Sequence, residues 1–328
     1  MMSPTFRARM IYLLRLTFVV GLLAFMVWTM NSNELLESLR DLDIQFFGLA
    51  FLFLSIEATI RSYNWGLLLR CKGSRFNLRT LIYAYVTGSF YGFFVPSSFG
   101  TDVSRAIALN RQTSVRIEDA AVSVVALNVL ALLCLCTTAA VSAFGLWVFG
   151  PRTAALLIIG VISTGGLATF IVLYLTRNLW IRSLHVPGKL EKLKAKIVKM
   201  IQAFTVFGSH PGLMVRVTGL NFVIQVLASL TVFSIALSLE SEISFLYFLL
   251  FMPMVAIARL VPASIANFGG EQGVFVFLFS LINVASEEIF LISVLLSAVS
   301  MLFILAGGLV YLIGMLKNKQ ANPLPLDS

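Results

Sequence analysis

Long apolar runs separated by short polar segments occupy almost the whole chain. Six runs are long enough to cross ~30 Å of hydrocarbon at ~1.5 Å per residue. They are about Met10–Met30, Ile44–Leu69, Ala120–Phe149, Ala154–Thr176, Val215–Leu239 and Ile289–Met315. Two further apolar stretches, Leu81–Leu109 and Phe245–Ile282, are interrupted by nearly the same text. Val95-Pro96-Ser97-Ser98 precedes Gly100 and Asp102, and Val261-Pro262-Ala263-Ser264 precedes Gly269, Gly270 and Glu271. Proline removes a backbone donor and glycine lets the chain turn, so helix breaks are expected at Pro96, Gly100, Pro262, Gly269 and Gly270. The prolines stand 166 residues apart, about half the chain. Matched breaks in two halves are the best sequence pointer to a transport site at mid-membrane.

Charges between the runs orient them. Arg7, Arg9 and Arg15 precede the first run and place the N-terminus inside; no small-residue cleavage site follows, so a retained helix is expected. Glu34, Glu37, Asp41 and Asp43 read outside. Arg70, Lys72, Arg75 and Arg79 read inside, as do Arg105, Arg111 and Arg116. The first broken element thus enters from and returns to the cytoplasm. The linker from 177 to 212 carries Arg177, Arg182, Lys189, Lys192, Lys194, Lys196 and Lys199 and reads inside. Acidic flanks, Glu242 before and Glu287-Glu288 after, make the second broken element re-entrant from outside. Lys317 and Lys319 place the C-terminus inside. If each broken element instead crossed once, the chain would have eight full spans and the basic linker would lie outside, against the positive-inside rule.

The expectation is an all-α polytopic membrane protein: about six full spans plus two re-entrant broken-helix hairpins, eight membrane elements in an inverted repeat. A single membrane domain would cover residues 1–328. Its first half runs over 10–176 with a break at 96–101, and its second over 214–316 with a break at 262–270. A basic cytoplasmic linker (177–213) joins them, and a polar tail (317–328) follows. Within the linker, Leu190, Leu193, Ile197, Ile201 and Phe204 share one face of an amphipathic helix, suited to an anionic leaflet or to docking on the bundle.

Composition agrees. The chain is 59% hydrophobic, with 28 phenylalanines and 12% charged residues, which excludes a soluble domain. The net charge of +9 resides in the loops, so nucleic acid is not an expected partner. Cys134-x-Cys136 would point about 200° apart on a helix, a poor chelate. His185 and His210 have no partner cluster. No phosphate-binding glycine loop, metal cluster or Ser/His/Asp set is present, so neither an enzyme, a cofactor nor a metal is expected.

Candidate chemistry sits inside the membrane. Glu57 and Arg61, at i,i+4 in mid-span, are a functional pair or a self-neutralised structural one. Arg259 precedes the second break and Arg105 follows the first; both suit bidentate binding of a phosphate, although Arg105 also fits a topology anchor. Ser98, Ser264 and Asn267 would satisfy freed backbone groups or a headgroup. Asp102 and Glu271 would cap half-helices, pair with the arginines or carry protons. The alternative for both breaks is a structural kink without a ligand.

These residues resemble the membrane (flippase) region of lysylphosphatidylglycerol synthases, including relatives without the synthase domain. The matching pieces are Arg61-x-x-x-Trp65-x-x-Leu68-Leu69, Val95-Pro96 through Gly100-x-Asp102-x-x-Arg105-x-x-x-Leu109, and Leu260-Val261-Pro262-x-Ser264 with Gly269-Gly270-Glu271. Members often carry an acid–arginine pair in the span after the first break, where this chain has Leu127-Asn128. The resemblance implies translocation of a charged phospholipid or polyprenyl-linked lipid in a bacterial-type inner membrane, beside a lipid-modifying or glycosyltransferase enzyme. In that reading Arg61, Arg105, Arg259, Ser98, Ser264 and Asn267 bind substrate, and Glu57, Asp102 and Glu271 gate or couple. The rival expectations are a membrane-embedded enzyme and a non-transporting scaffold of a lipid-linked glycan pathway.

Overall fold

In lipid every backbone polar group must be satisfied within its own segment, and these apolar stretches accordingly fold as helices. The computed structural model describes residues 42–70, 76–94, 100–113, 115–149, 154–175, 210–258 and 270–321. The first expected span, the amphipathic linker segment and the tail beyond 321 lie outside them. The described helices are α1 (Ile44–Arg70), α2 (Leu78–Phe94), α3 (Gly100–Gln112), α4 (Ile117–Phe149), α5 (Ala154–Leu175), α6 (Pro211–Ser238), α7 (Phe245–Ala258), α8 (Gly270–Ser280) and α9 (Ser286–Ala321). No strand occurs among the described residues.

Four of these helices, α1, α4, α6 and α9, are long and apolar enough to cross a membrane. The 22 residues of α5 contain no charged side chain. The arms flanking the breaks are shorter: 17 and 13 residues for α2 and α3, 14 and 11 for α7 and α8. They reach only about 17–25 Å, less than the hydrocarbon thickness.

The long helices are arranged around α1 and α6, which lie against each other. The Asp43 amide donates to the Ser238 carbonyl at 2.9 Å, and Asn64 near the other end of α1 meets Val217 near the start of α6, so the two run antiparallel. The first arm of each hairpin packs on a long helix distant in sequence, α2 on α9 and α7 on α4. Each second arm packs on the long helix that follows it, α3 on α4 and α8 on α9. Leu81 and Leu109, at the outer ends of α2 and α3, share a core with Trp65 and Leu69 near the C-terminal end of α1. Phe248, Leu278 and Phe279, at the outer ends of α7 and α8, instead share a core with Ile235 near the C-terminal end of α6. The two hairpins therefore open toward opposite ends of the bundle.

Different chemistry holds the two hairpins. In the first, Gly88 faces the Arg105 backbone and Gly92 faces Thr101, so α2 and α3 approach backbone to backbone, as small residues permit in membranes. In the second, the rings of Phe248 and Phe251 each meet Phe279, with centroids 5.1 and 4.9 Å apart, so aromatic area fills the gap.

Polar side chains in the spans are mostly satisfied locally. Ser62 and Thr87 donate to the carbonyls of Ala58 and Tyr83 at 2.7 and 2.6 Å, the i−4 pattern that lets hydroxyls sit in apolar helices. Trp65, 2% exposed, is different: its indole Nε1 donates to Ser123 Oγ on α4 at 2.8 Å. Trp65→Phe is expected to lower stability by about 1–2 kcal/mol, from one lost hydrogen bond and the unfilled part of its site, read as a lower unfolding midpoint in detergent.

Candidate functional site

The charges separate along the bundle. Asp43, Glu240, Glu242, Glu287 and Glu288 lie at the end where α1 begins and α6 finishes; Arg70, Arg79, Arg111, Arg116 and Arg216 lie at the other, which also carries Glu118 and Asp119 in the first turn of α4. Glu57 and Arg61 belong to neither end, because they occupy the middle of α1. Arg61 Nε donates to Glu57 Oε1 at 2.7 Å. Glu57 keeps 10% of its side chain accessible and Arg61 keeps 37%. The acid is thus enclosed, while the guanidinium holds it through Nε and keeps two terminal nitrogens without a described partner.

Arg61 lines a small cleft, partly open to the outside. Trp65 stands beside it; Tyr85 comes from α2, Asp102 and Arg105 from α3, Asn128 from α4 and Asn221 from α6. Leu127 and Ile224 supply apolar wall. Asp102 lies in the first turn of α3, where a carboxylate is favoured by the positive helix end. It accepts from Arg105 NH1 at 3.3 Å and from Asn128 Nδ2 at 2.6 Å.

Arg105 is more constrained than Arg61. Its Nε and NH2 donate to Ser89 Oγ at 3.2 and 3.0 Å, and its guanidinium carbon lies 3.9 Å from the centroid of the Tyr85 ring. That cation–π contact and the Ser89 bonds fix the side chain against α2, while Asp102 braces it from its own helix. Arg105 shapes the cleft, and Arg61 lines it with terminal nitrogens that have no partner among the described residues.

A chain that brings two acid–arginine pairs close together, with both arginines lining one cleft, admits comparison with known membrane families. A family model described as "Lysylphosphatidylglycerol synthase TM region" matches residues 12–308. The chain belongs to this family. No curated protein and no solved structure matches it.

In this member of the family, the structure brings together Glu57, Arg61, Asp102 and Arg105. Gly100 and Gly270 open α3 and α8, and Glu271 lies in the first turn of α8. The Glu271 side chain, and Pro96, Ser98, Arg259, Pro262, Ser264, Asn267 and Gly269, lie outside the described residues. Cys134 and Cys136 are buried, and Gln225 Nε2 donates to Cys134 Sγ at 3.7 Å. Sequence reasoning missed Tyr85, Ser89 and Asn221. Asn128 had a signal, because it stands where relatives often place a charge; here its amide bridges to Asp102 instead.

Proposed function

We propose that the chain is a lipid translocase that moves the headgroup of a charged phospholipid or polyprenyl-linked lipid between leaflets while the tails stay in the bilayer. One observation carries this reading: a partly open cleft at mid-depth holds Arg61, whose terminal nitrogens have no partner among the described residues, beside Asp102 and Arg105, with Glu57 bound to Arg61 behind it. Charges at that depth are costly and are retained where they serve a path. Arg61 receives the phosphate. Glu57 and Asp102 compete for the guanidinium groups and so gate its release. The exposed Asn128 marks the lateral opening through which tails remain in lipid.

The hairpins support an inverted repeat. Short arms that open toward opposite ends, and the reciprocal packing of α2 on α9 and α7 on α4, fit two halves related by an axis in the membrane plane, with both breaks near the bilayer middle. The positive-inside rule supports a cytoplasmic basic end; cytoplasmic termini and a bacterial-type inner membrane belong to the same reading. An enzyme that modifies or glycosylates the lipid is the expected neighbour.

Purified protein reconstituted into vesicles with fluorescent anionic, aminoacylated and polyprenyl lipids tests the activity. At least one class should exchange leaflets faster than in empty vesicles, read by quenching of the outer leaflet. Exchange at the empty-vesicle rate for all three would sink the translocase reading.

A further inference from the structure

The interface between α1 and α6 closes at one end and not at the other. At the acidic end the Asp43 amide donates to the Ser238 carbonyl at 2.9 Å, and Ala50 shares a core with Ile235 and Ala236. Toward the basic end, Asn64 on α1 is fully buried and Asn221 on α6 is 4% exposed. Asn64 Nδ2 donates to the Val217 carbonyl at 3.3 Å and to Asn221 Oδ1 at 3.2 Å. Both bonds sit at or past the long limit for an amide donor. The other halves of the two amides, Asn64 Oδ1 and Asn221 Nδ2, have no partner among the described residues, and neither is within reach of water. Turning both amides over exchanges the orphaned atoms and sets an oxygen against the Val217 carbonyl, so no orientation closes the pair. A neighbouring interhelical bond is well made: Thr138 on α4 donates to Gln225 on α6 at 2.8 Å.

Buried amides left half-paired are rare in folded proteins and cost stability. Adhesion between helices does not explain them, because two leucines would fill the same space without that cost. The surrounding packing pulls the other way. Leu67 and Leu68 on α1 and Val217 on α6 form a buried core at this end. Apolar contact thus favours the helices together, and the orphaned amide atoms favour them apart. One water between the helices would accept from Asn221 Nδ2 and donate to Asn64 Oδ1, completing both. Admitting it parts the helices by ~3 Å, the width of one water.

We infer that α1 and α6 form a two-state joint, hinged where Asp43 meets Ser238 and opening where Asn64 meets Asn221. This structure is the closed, dry state. In the open state the amide pair is wet and satisfied, and the opposed terms keep the two states close in free energy. The cleft feels the joint because its walls stand on both sides of it: Arg61 and Trp65 are on α1, Asn221 and Ile224 on α6. Opening draws those walls apart and enlarges a cleft that is small when closed. Since α1 precedes the first hairpin and α6 the second, the joint lies between the two halves of the chain. It does not depend on which cargo the cleft accepts.

Paired spin labels on the purified full chain test this without requiring transport, in a background where Cys71, Cys134 and Cys136 are replaced by alanine. One pair, at Arg70 and Arg216, spans the opening end, and the other, at Gln45 and Glu240, spans the hinge; all four positions are exposed. Dipolar distances should show two populations about 4 Å apart at the first pair, because a ~3 Å opening at Asn64 grows along the lever to Arg70, and one population at the second. The double variant Asn64→Leu with Asn221→Leu should collapse the first pair to its shorter population and raise the unfolding midpoint by about 2–4 °C, since removing both polar partners removes the cost that opens the joint. The same variant should slow leaflet exchange about fivefold or more. Where leucine does not fit, Asn64→Val with Asn221→Val, smaller by one carbon each, repeats the test. A pair that merely holds the helices together gives the opposite sign. A single population at Arg70 and Arg216 in the unsubstituted pair, or a lowered midpoint in both double variants, would overturn the joint. No exchange by the wild-type protein would count against the translocase reading alone and leave the distances to decide the joint.

Discussion

Arg61→Met should reduce leaflet exchange at least tenfold and destabilise the fold at the same time. The two effects have different origins. The terminal nitrogens of Arg61 have no partner among the described residues, and a neutral side chain would offer a phosphate nothing in their place. One lost charge-assisted contact of ~1.5–3 kcal/mol is enough for a tenfold effect or more. The stability loss comes from Glu57, which retains 10% side-chain accessibility and would be left as an unpaired acid in mid-span. Removing one partner of a buried pair costs on the order of 3 kcal/mol. The double variant Glu57→Gln with Arg61→Met should therefore recover most of the stability and none of the exchange. Unfolding midpoints in detergent and exchange in vesicles, measured on the same preparations, check both parts. Full exchange by a folded Arg61→Met protein would remove Arg61 from the path.

Gly88→Ala should lower stability by about 1–3 kcal/mol, although alanine is normally the better helix residue. A Cβ at Gly88 would lie 2.5 Å from Arg105 Cα and 2.7 Å from Arg105 N, and backbone atoms cannot rotate away. The arms of the first hairpin would have to separate. Tyr85 and Ser89 are on one arm and Arg105 on the other, so separation would also pull the guanidinium from its ring and hydroxyl partners, and exchange should fall. Gly48 on α1 provides the opposite expectation. Nothing lies within 4 Å of a Cβ there, and Gly48→Ala should be neutral or stabilising by up to ~1 kcal/mol. Thermal unfolding of the two variants side by side gives the comparison, and equal effects would refute the close-packing account.

Particular residues show how far local pattern reaches. Hydropathy over Ile44–Leu69 anticipates α1, which ends one residue later at Arg70, because an apolar run in lipid has few backbone options other than helix. The mid-span placement of Glu57 and Arg61 follows from spacing alone, and at i,i+4 their pairing does too. Arg105 was ambiguous in sequence, an anchor or a ligand-holding residue. Its surroundings are decided by Tyr85 and Ser89, which lie across the hairpin, and no local pattern relates an arginine to a ring 20 positions earlier. The contrast between the hairpins was equally hidden: similar break motifs flank one pair of arms that meet through glycine and another that meet through phenylalanine.

By itself the sequence determined an all-helical membrane chain of this family, its long apolar helices, and a chain direction marked by acidic and basic ends. Those properties depend on hydrophobicity and charge accumulated residue by residue along the chain. Only the tertiary structure decided which polar side chains share the cleft. Asp102 meets Asn128 from 26 positions away, and Asn64 meets Asn221 from 157. Those meetings depend on how helices rotate and cross when they pack, which is set by the shapes of facing surfaces such as Gly88 against Arg105, and hydropathy carries no record of it.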